Sequence, residues 1–354
     1  MVSSLTHTLI QLPLKAVNAE IRDTIQQQLQ SANANDWAAS LETLEQHRLT
    51  PLVAYNLEQH GLMERLPALY EAKFRQSYQS TQKANFTLLL TLDAILKTLQ
   101  AHDVSPVVWK GAALADSFYP DPGTRQMGDL DFAIAANEMR AATKAFQSLG
   151  FQPQDVMETC DAIYFENAMG VLCDVHHRVR LFEGKEGMGL TSNLSPQHLS
   201  VNALPVLEPN AMLVHLVVHM DGHFYETGPI LQWIFDVAFV LRKWRDEINL
   251  ERLQALMPDH PSFVLLLRIV RFLEVDFGEP VPACLADQVK TCQPLQLVKI
   301  LRQRHLALWQ LFDFKGWVKL ALCRLGLRFP ENLSYPAVAD LLSLSQSLIM
   351  HQRW

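Results

Sequence analysis

The chain has 354 residues, too many for one minimal domain and enough for two or three packed units. Its 49% hydrophobic content excludes a disordered chain, and a formal charge of −7 gives no global attraction to nucleic acid, so a polynucleotide substrate is disfavoured. Five cysteines (Cys160, Cys173, Cys284, Cys292 and Cys323) without a CxxC pair or secreted-domain spacing fit a reducing cytoplasm.

The first residues, MVSSLTHTLIQLPLKAVNAE, lack a basic start, a long apolar run and a small-residue cleavage site, so no secretion signal is expected. From about residue 17 to 101, apolar residues recur at helical spacing, as in Leu41, Leu44, Leu49, Leu52, Val53 and Leu57, then Leu88, Leu89, Leu92, Ile95, Leu96 and Leu99. Residues 1–101 read as a helical N-terminal domain, broken at Gly61 and Pro67.

The period then changes. Ser105–Trp109 and Leu130–Ile134 read as strands, with a short helix over Ala112–Phe118 between them. Asn137 is placed to cap a helix that runs to Gly150, where glycine supplies the C-terminal turn. Ile163–Asn167 and Val171–His176 form two more strands around an Ala168-Met169-Gly170 turn, making 102–182 a small α/β unit. Residues 183–205, rich in Gly, Ser and polar side chains, read as a connecting loop. Helical spacing returns over 206–354, in Asn210–His223, Ile230–Trp244, Phe263–Val275, Leu295–Phe312 and Trp317–Leu327. The expected architecture is helix-rich α+β, and no apolar stretch reaches the ~18 residues that span a bilayer.

The segment that carries chemistry is VVWKGAALADSFYPDPGTRQMGDLDFAIA, residues 107–135. Residues two apart on a strand face one side, so Asp129 and Asp131 present two carboxylates together. Such crowding is unfavourable without a cation, and hard oxygen ligands suit Mg²⁺ shared with a triphosphate. A DxD pair alone is weak evidence, since surface strands carry it by chance. Lys110-Gly111, after a strand and opening a helix, adds a cation and backbone N–H groups for phosphate oxygens, and Asp174 adds a third acid on another strand. Three acids and a glycine turn match the needs of two-metal phosphoryl transfer.

The string Lys110-Gly111, Tyr119, Arg125, Gly128-Asp129-x-Asp131 and Asp174-x-His176 resembles the uncharacterised nucleotidyltransferase family of the DNA-polymerase-β-type superfamily, whose members carry LKG, Y, R, GDIDLLV and VDLHW in that order. The likeness extends into Leu213–His219 and Trp233–Asp236. It implies a polymerase-β-type core and transfer of a nucleoside monophosphate from an NTP to a hydroxyl-bearing acceptor, with two Mg²⁺ (or Mn²⁺) ions and release of pyrophosphate. By the resemblance, Asp129, Asp131 and Asp174 are the catalytic and metal-binding acids, while Lys110, Gly111, Arg125 and His176 serve the nucleotide. The acceptor is left open among a sugar, a protein, a small molecule or, less favoured, RNA. One departure stands out: Gly111-Ala112 lacks the serine hydroxyl of the superfamily's usual turn.

Three further readings remain open. Arg125 and Tyr119 also fit roles in ion pairing and packing, and Asp236 fits capping or pairing. His215, His219 and His223 share one helical face, which fits packing or pocket lining better than a Zn²⁺ site, since Met220–His223 is expected to end the helix and no HExxH glutamate is present. The basic stretch from Lys290 to Arg328, interleaved with Trp309, Phe312, Phe314 and Trp317, reads as a core-facing aromatic face with a solvated basic side, with an anionic surface or partner as the rival. Against a nucleotidyltransferase stand a non-catalytic nucleotide-binding or partner-binding module on the same fold and, more remotely, a His-centred metal hydrolase.

Overall fold

The computed structural model describes residues 3–154, 162–177, 194–195, 206–227 and 230–302. Polar caps start the first helices. Ser3 accepts from Thr6 N at the head of α1 (Ser4–Gln11), and Asn18 accepts from Ile21 N at α2 (Ala19–Ser31). Asn33 and Asp36 form a reciprocal capping box on α3 (Ala34–Gln46). Pro51 lies in the first turn of α4 (Thr50–Gln59), where its missing N–H costs nothing.

Among the described residues the longest element is the 34-residue α5 (Ala68–Ala101), roughly 50 Å at 1.5 Å per residue. Its buried stripe runs Phe74, Thr81, Asn85, Leu88, Leu92, Ile95, Leu96 and Leu99. Two polar positions near its middle hold the loop that follows α6 (Lys110–Ser117). Asn85 Nδ2 donates to the carbonyls of Pro122 and Arg125, and Tyr78 OH donates to Asp121 Oδ1. The approach is so close that a Cβ on Gly123 would lie 2.8 Å from Gln82 Cβ, which explains the glycine in Asp121-Pro122-Gly123-Thr124.

Among the described residues the sheet has five strands in the order β1 (Val107–Val108), β2 (Leu130–Ala133), β5 (Leu172–His176), β4 (Ala162–Glu166) and β3 (Gln152–Pro153). It is mixed: β2 and β5 run parallel, the other neighbours antiparallel. Burial on both faces suits a central strand, and all four residues of β2 are buried. The expected hairpin joins β4 and β5, with Gly170 at φ +75° in its turn.

Helix α7 (Met139–Ser148) ends as anticipated at Gly150, φ +82°. Its start differs from expectation. Asn137 lies within a 3₁₀ turn, Ala136–Glu138, and Glu138 precedes the helix without a side-chain cap. The 3₁₀ turn supplies the entry that an Asx cap would otherwise provide. Within the expected 183–205 loop, β6 (Leu194–Ser195) pairs with β7 (Val206–Leu207).

Helix α8 (Pro209–Thr227) corrects a second expectation, since it continues four residues beyond His223. Gly222 costs an interior turn only about 1 kcal/mol relative to alanine, less than a packed helix gains. Next come α9 (Leu231–Trp244), α10 (Leu250–Leu256), α11 (His260–Phe277), α12 (Ala286–Thr291) and α13 (Leu297–Arg302). The expected helix over Trp317–Leu327 and most of the basic 290–328 stretch lie outside the described residues. No described helix is long and apolar enough to cross a membrane. One apolar core runs through all three stretches, from Leu9 and Leu52 through Phe132 and Val175 to Phe235 and Leu266. The N-terminal helices meet the α/β unit through α5, which packs on α7 and on the Pro122–Thr124 turn, and α8 packs on β7.

Candidate active site

Parallel pairing of β2 with β5 sets the geometry. Its register places Asp131 opposite Asp174, with Leu130 beside Cys173 and Phe132 beside Val175. Two carboxylates on adjacent strands at the same level repel each other in a poorly solvated place, since Asp131 is 4% and Asp174 8% exposed. Lys110 answers part of that charge, its Nζ donating to Asp131 Oδ1 at 2.8 Å. Burial opposes the ammonium, but Asp131, with Asp174 and Asp129 behind it, outweighs burial and raises the Lys110 pKa. Lys110 stands in left-handed backbone, φ +48°, at the turn from β1 into α6. Such strain in a residue other than glycine collects at functional sites.

His176, two residues after Asp174 and on the same strand face, brings Nε2 to 2.9 Å from Asp174 Oδ2. Asp174 Oδ1, by contrast, is buried with no hydrogen-bond partner among the described residues. A bare carboxylate oxygen in such a place normally has a partner. Asp131, Asp174 and His176 offer ligand atoms that all lie within 4.8 Å of one another. This trio, with one oxygen unclaimed, fits a divalent cation. Asp129 lies just before β2, outside that trio but on the same cavity wall.

Burial, then Asp131, and less strongly Asp174, push the Asp129 carboxyl up to about 6, against the pull of Lys110 and Arg125. A raised carboxyl pKa means that the folded chain holds more protons than the unfolded one between about pH 4 and 6. The favourable contribution is complete below about pH 4 and is lost as the pH rises through 6. Asp129→Asn, which mimics the protonated acid, should therefore stabilise the metal-free protein above pH 6 by about 1–3 kcal/mol and leave it unchanged near pH 4. Melting both proteins in EDTA across pH 4–8 measures this, and a variant destabilised at pH 7.5 would contradict it.

The acids open onto a cavity of about 310 Å³ whose walls include Arg48, Lys110, Gly111, Met127, Gly128, Asp129, Tyr164, His219, Gln232 and Trp233. Gly111 lies against its wall, where a Cβ would touch Arg125 Nη1 at 3.4 Å. Ala112, the position of the missing serine, is fully buried and absent from the cavity walls, so a hydroxyl there would face core.

Arg125 also reaches the cavity, but its donors are largely committed. Nε and Nη2 each donate to Asp236 at 2.8 Å, and Tyr119 OH donates to the same carboxylate. Asp236 is 1% exposed, and its charge overcomes burial to raise the Arg125 pKa. Beside this fork, Gln232 accepts from Gln126 N and donates to Gln126 O, both at 3.1 Å. Together they tie the Arg125–Asp129 loop to α9. Arg125 and Tyr119 are thus both paired with Asp236.

A line of aromatic rings runs behind the acids and ends at His219 and Trp233 on the cavity wall. Trp109 packs edge-on to His176 and stacks on His215 at 4.4 Å and 10°. His215 stacks in turn toward His219, which meets the Trp233 ring edge-on. Burial, Lys110 and His176 hold His215 far below the usual imidazole pKa, so it is a neutral plate. Among the described residues, no potential metal-ligand group draws on His215 or His219, and the His223 side chain lies outside them.

Sequence reasoning brought Lys110, Gly111, Asp129, Asp131, Asp174 and His176 to this place but missed Arg48 and Gln232. Gln232 carries no motif. Arg48 arrives because His47, just before it, docks on the start of α9. His47 Nδ1 accepts from Leu231 N, and its carbonyl accepts from Gln232 N, both at 3.3 Å. Burial lowers the His47 pKa to about 4, keeping the imidazole neutral and able to accept. Ile230, which precedes α9, has no side chain able to do this.

The family described as uncharacterised nucleotidyltransferase matches residues 33–274, more than half of the chain. No curated protein matches it. Among solved structures, the chain is similar to ANT(2'')-Ia, an antibiotic-resistance factor, at 14% identity over 49% of this chain and 90% of that one, TM-score 0.37. The same protein in complex with adenylyl-2''-tobramycin matches at 13% identity over 48% and 94%, TM-score 0.37. An antigenic nucleotidyltransferase-like protein from Paracoccidioides brasiliensis matches at 15% identity over 56% and 96%, TM-score 0.38.

Proposed function

The chain belongs to the uncharacterised nucleotidyltransferase family, and from that premise we propose that it is an Mg²⁺-dependent enzyme moving a nucleoside monophosphate from an NTP to a hydroxyl-bearing acceptor. The observation that carries this reading is the parallel register of Asp131 with Asp174, next to a cavity and with Asp174 Oδ1 buried and unpartnered. Asp131, Asp174 and His176, with Asp129 alongside, would hold the divalent cations. When bound, these would neutralise phosphate charge and acidify the acceptor hydroxyl.

The chain's own groups have separable tasks. Asp174 assists removal of the proton of the attacking hydroxyl as the hydroxyl oxygen bonds to the α-phosphorus and pyrophosphate leaves. Lys110 and the Gly111 turn at the start of α6 face the phosphates. Asp236 and Gln232 hold the Arg125–Asp129 loop in place, a positioning task. Trp109 and His215 back His176 with apolar surface and keep water from the acids. The 102–182 unit is in this view the catalytic core, and the flanking helices complete the cavity through Arg48, Gln232 and Trp233.

Millimolar Mg²⁺ with ATP, GTP, CTP or UTP should raise the melting temperature, since a ligand that binds only the folded state adds about 2.7 kcal/mol at 100 times its Kd. EDTA should remove the shift. A labelled NTP incubated with cell extract should then yield a labelled acceptor. Failure of all four nucleotides to shift the melt would end this reading, and binding without any labelled product would reduce it to a nucleotide-binding module.

A further inference from the structure

Among the described residues, a third cation of the cavity comes from outside the α/β unit. Arg48 sits in the turn between α3 and α4 and lines the same cavity as the acids. Lys110 is paired with Asp131 and Arg125 with Asp236. Arg48 makes no ion pair or side-chain hydrogen bond among the described residues, and its side chain is exposed.

Its backbone is as informative as its charge. Arg48 has φ +57°, immediately after the α3 C-cap, and the turn is closed by Leu49 N donating to Leu44 O at 2.8 Å. That position favours glycine, because a Cβ is strained in left-handed backbone. Of the three residues other than glycine with positive φ among those described, Arg48 and Lys110 both line the cavity, and both are cations. An arginine where glycine would fold more easily calls for a reason other than folding. His47 supplies the anchorage, since its two hydrogen bonds to the start of α9 fix the turn against the wall that carries Gln232 and Trp233.

We propose that Arg48 binds the β- and γ-phosphates of the NTP and stabilises the pyrophosphate as it leaves. This rests on the nucleotidyltransferase reading. The α-phosphate must stand beside Asp131 and Asp174, where the new bond forms, and Lys110 is already at that end. The remaining anionic part of the substrate is the leaving pair of phosphates, which any NTP carries whatever its base or acceptor. A planar guanidinium without an ion-pair partner, brought in from another element, suits two phosphate oxygens at once.

The test compares Arg48→Gly and Arg48→Gln with the wild type. Without ligand, Arg48→Gly should melt at or above the wild-type temperature, because it relieves the left-handed strain. Calorimetry should show Mg²⁺-NTP affinity, for whichever of ATP, GTP, CTP and UTP binds the wild type, reduced about 10–100-fold in both variants. Mg²⁺-pyrophosphate affinity should fall in parallel, and affinity for the matching nucleoside monophosphate should change less than threefold. Unchanged NTP affinity would overturn the assignment, and so would an equal loss for monophosphate and triphosphate, which would place Arg48 at the base, sugar or α-phosphate. A wild type that binds no NTP would instead bring down the nucleotidyltransferase reading itself.

Discussion

Asp174→Asn should lower nucleotidyl transfer by about 10²–10⁴-fold while leaving most of the Mg²⁺-NTP affinity in place. The two oxygens of Asp174 are unequal: Oδ2 is engaged by His176, and Oδ1 is buried without a partner. Asparagine keeps the shape and can still meet His176, but it offers no base for the hydroxyl proton. Asp129 and Asp131 remain to accompany the triphosphate. The loss is then confined to the transition state, which lowers kcat more than it raises KM. Asp131→Asn should behave differently, losing binding and transfer together, because it removes charge next to the phosphates and frees Lys110 from its partner. Affinity by calorimetry and turnover with labelled NTP, measured side by side, separate the two. Wild-type transfer by Asp174→Asn would remove that residue from the chemistry.

The largest stability effect is expected at Asp236, which no proposed step uses directly. Asp236→Ala leaves the Arg125 guanidinium in a site where the residue is only 6% exposed, and it strips Tyr119 OH of its acceptor. Removing one partner of a buried pair typically costs about 3–5 kcal/mol, a large share of the 5–15 kcal/mol that holds a domain folded. The expected result is a clear drop in the denaturation midpoint. Loss of the loop's attachment to α9 should also weaken NTP binding. Arg125→Met combined with Asp236→Leu removes both charges and should recover much of the stability. If the double variant is as unstable as Asp236→Ala, the cost is one of packing shape and the uncompensated-charge account fails.

These two sites differ in how far the linear chain discloses them. Strand periodicity places Asp174 and His176 on one face, whereas Asp129, one residue before β2, escapes the same rule. The Lys110-Gly111 turn is visible because a strand and a helix meet there. The helical character of the flanks follows from the spacing of Leu88, Leu92, Ile95 and Leu99, and the β4–β5 hairpin from the Gly170 turn. All of these depend on contacts between residues close in sequence.

Where distant segments decided the outcome, local patterns were silent or misleading. Strand β3 has two residues, too few to show a period, whereas β1 falls inside the expected Ser105–Trp109 strand. The signal for a helix end at Gly222 was overridden, since helix α8 runs on to Thr227. What the sequence by itself determined is the chemical kit, three acids, a lysine and a histidine on short strands and a turn, together with a helix-rich α+β frame. Only the tertiary structure decided that Asp131 stands beside Asp174, that Arg125 is spent on Asp236, and that His47 carries Arg48 to the cavity. The physical reason is that side-chain direction along a strand or helix is fixed within a few residues. Register, ion-pair choice and docking are fixed by which distant surfaces bury one another, and the chain pattern does not encode that pairing locally.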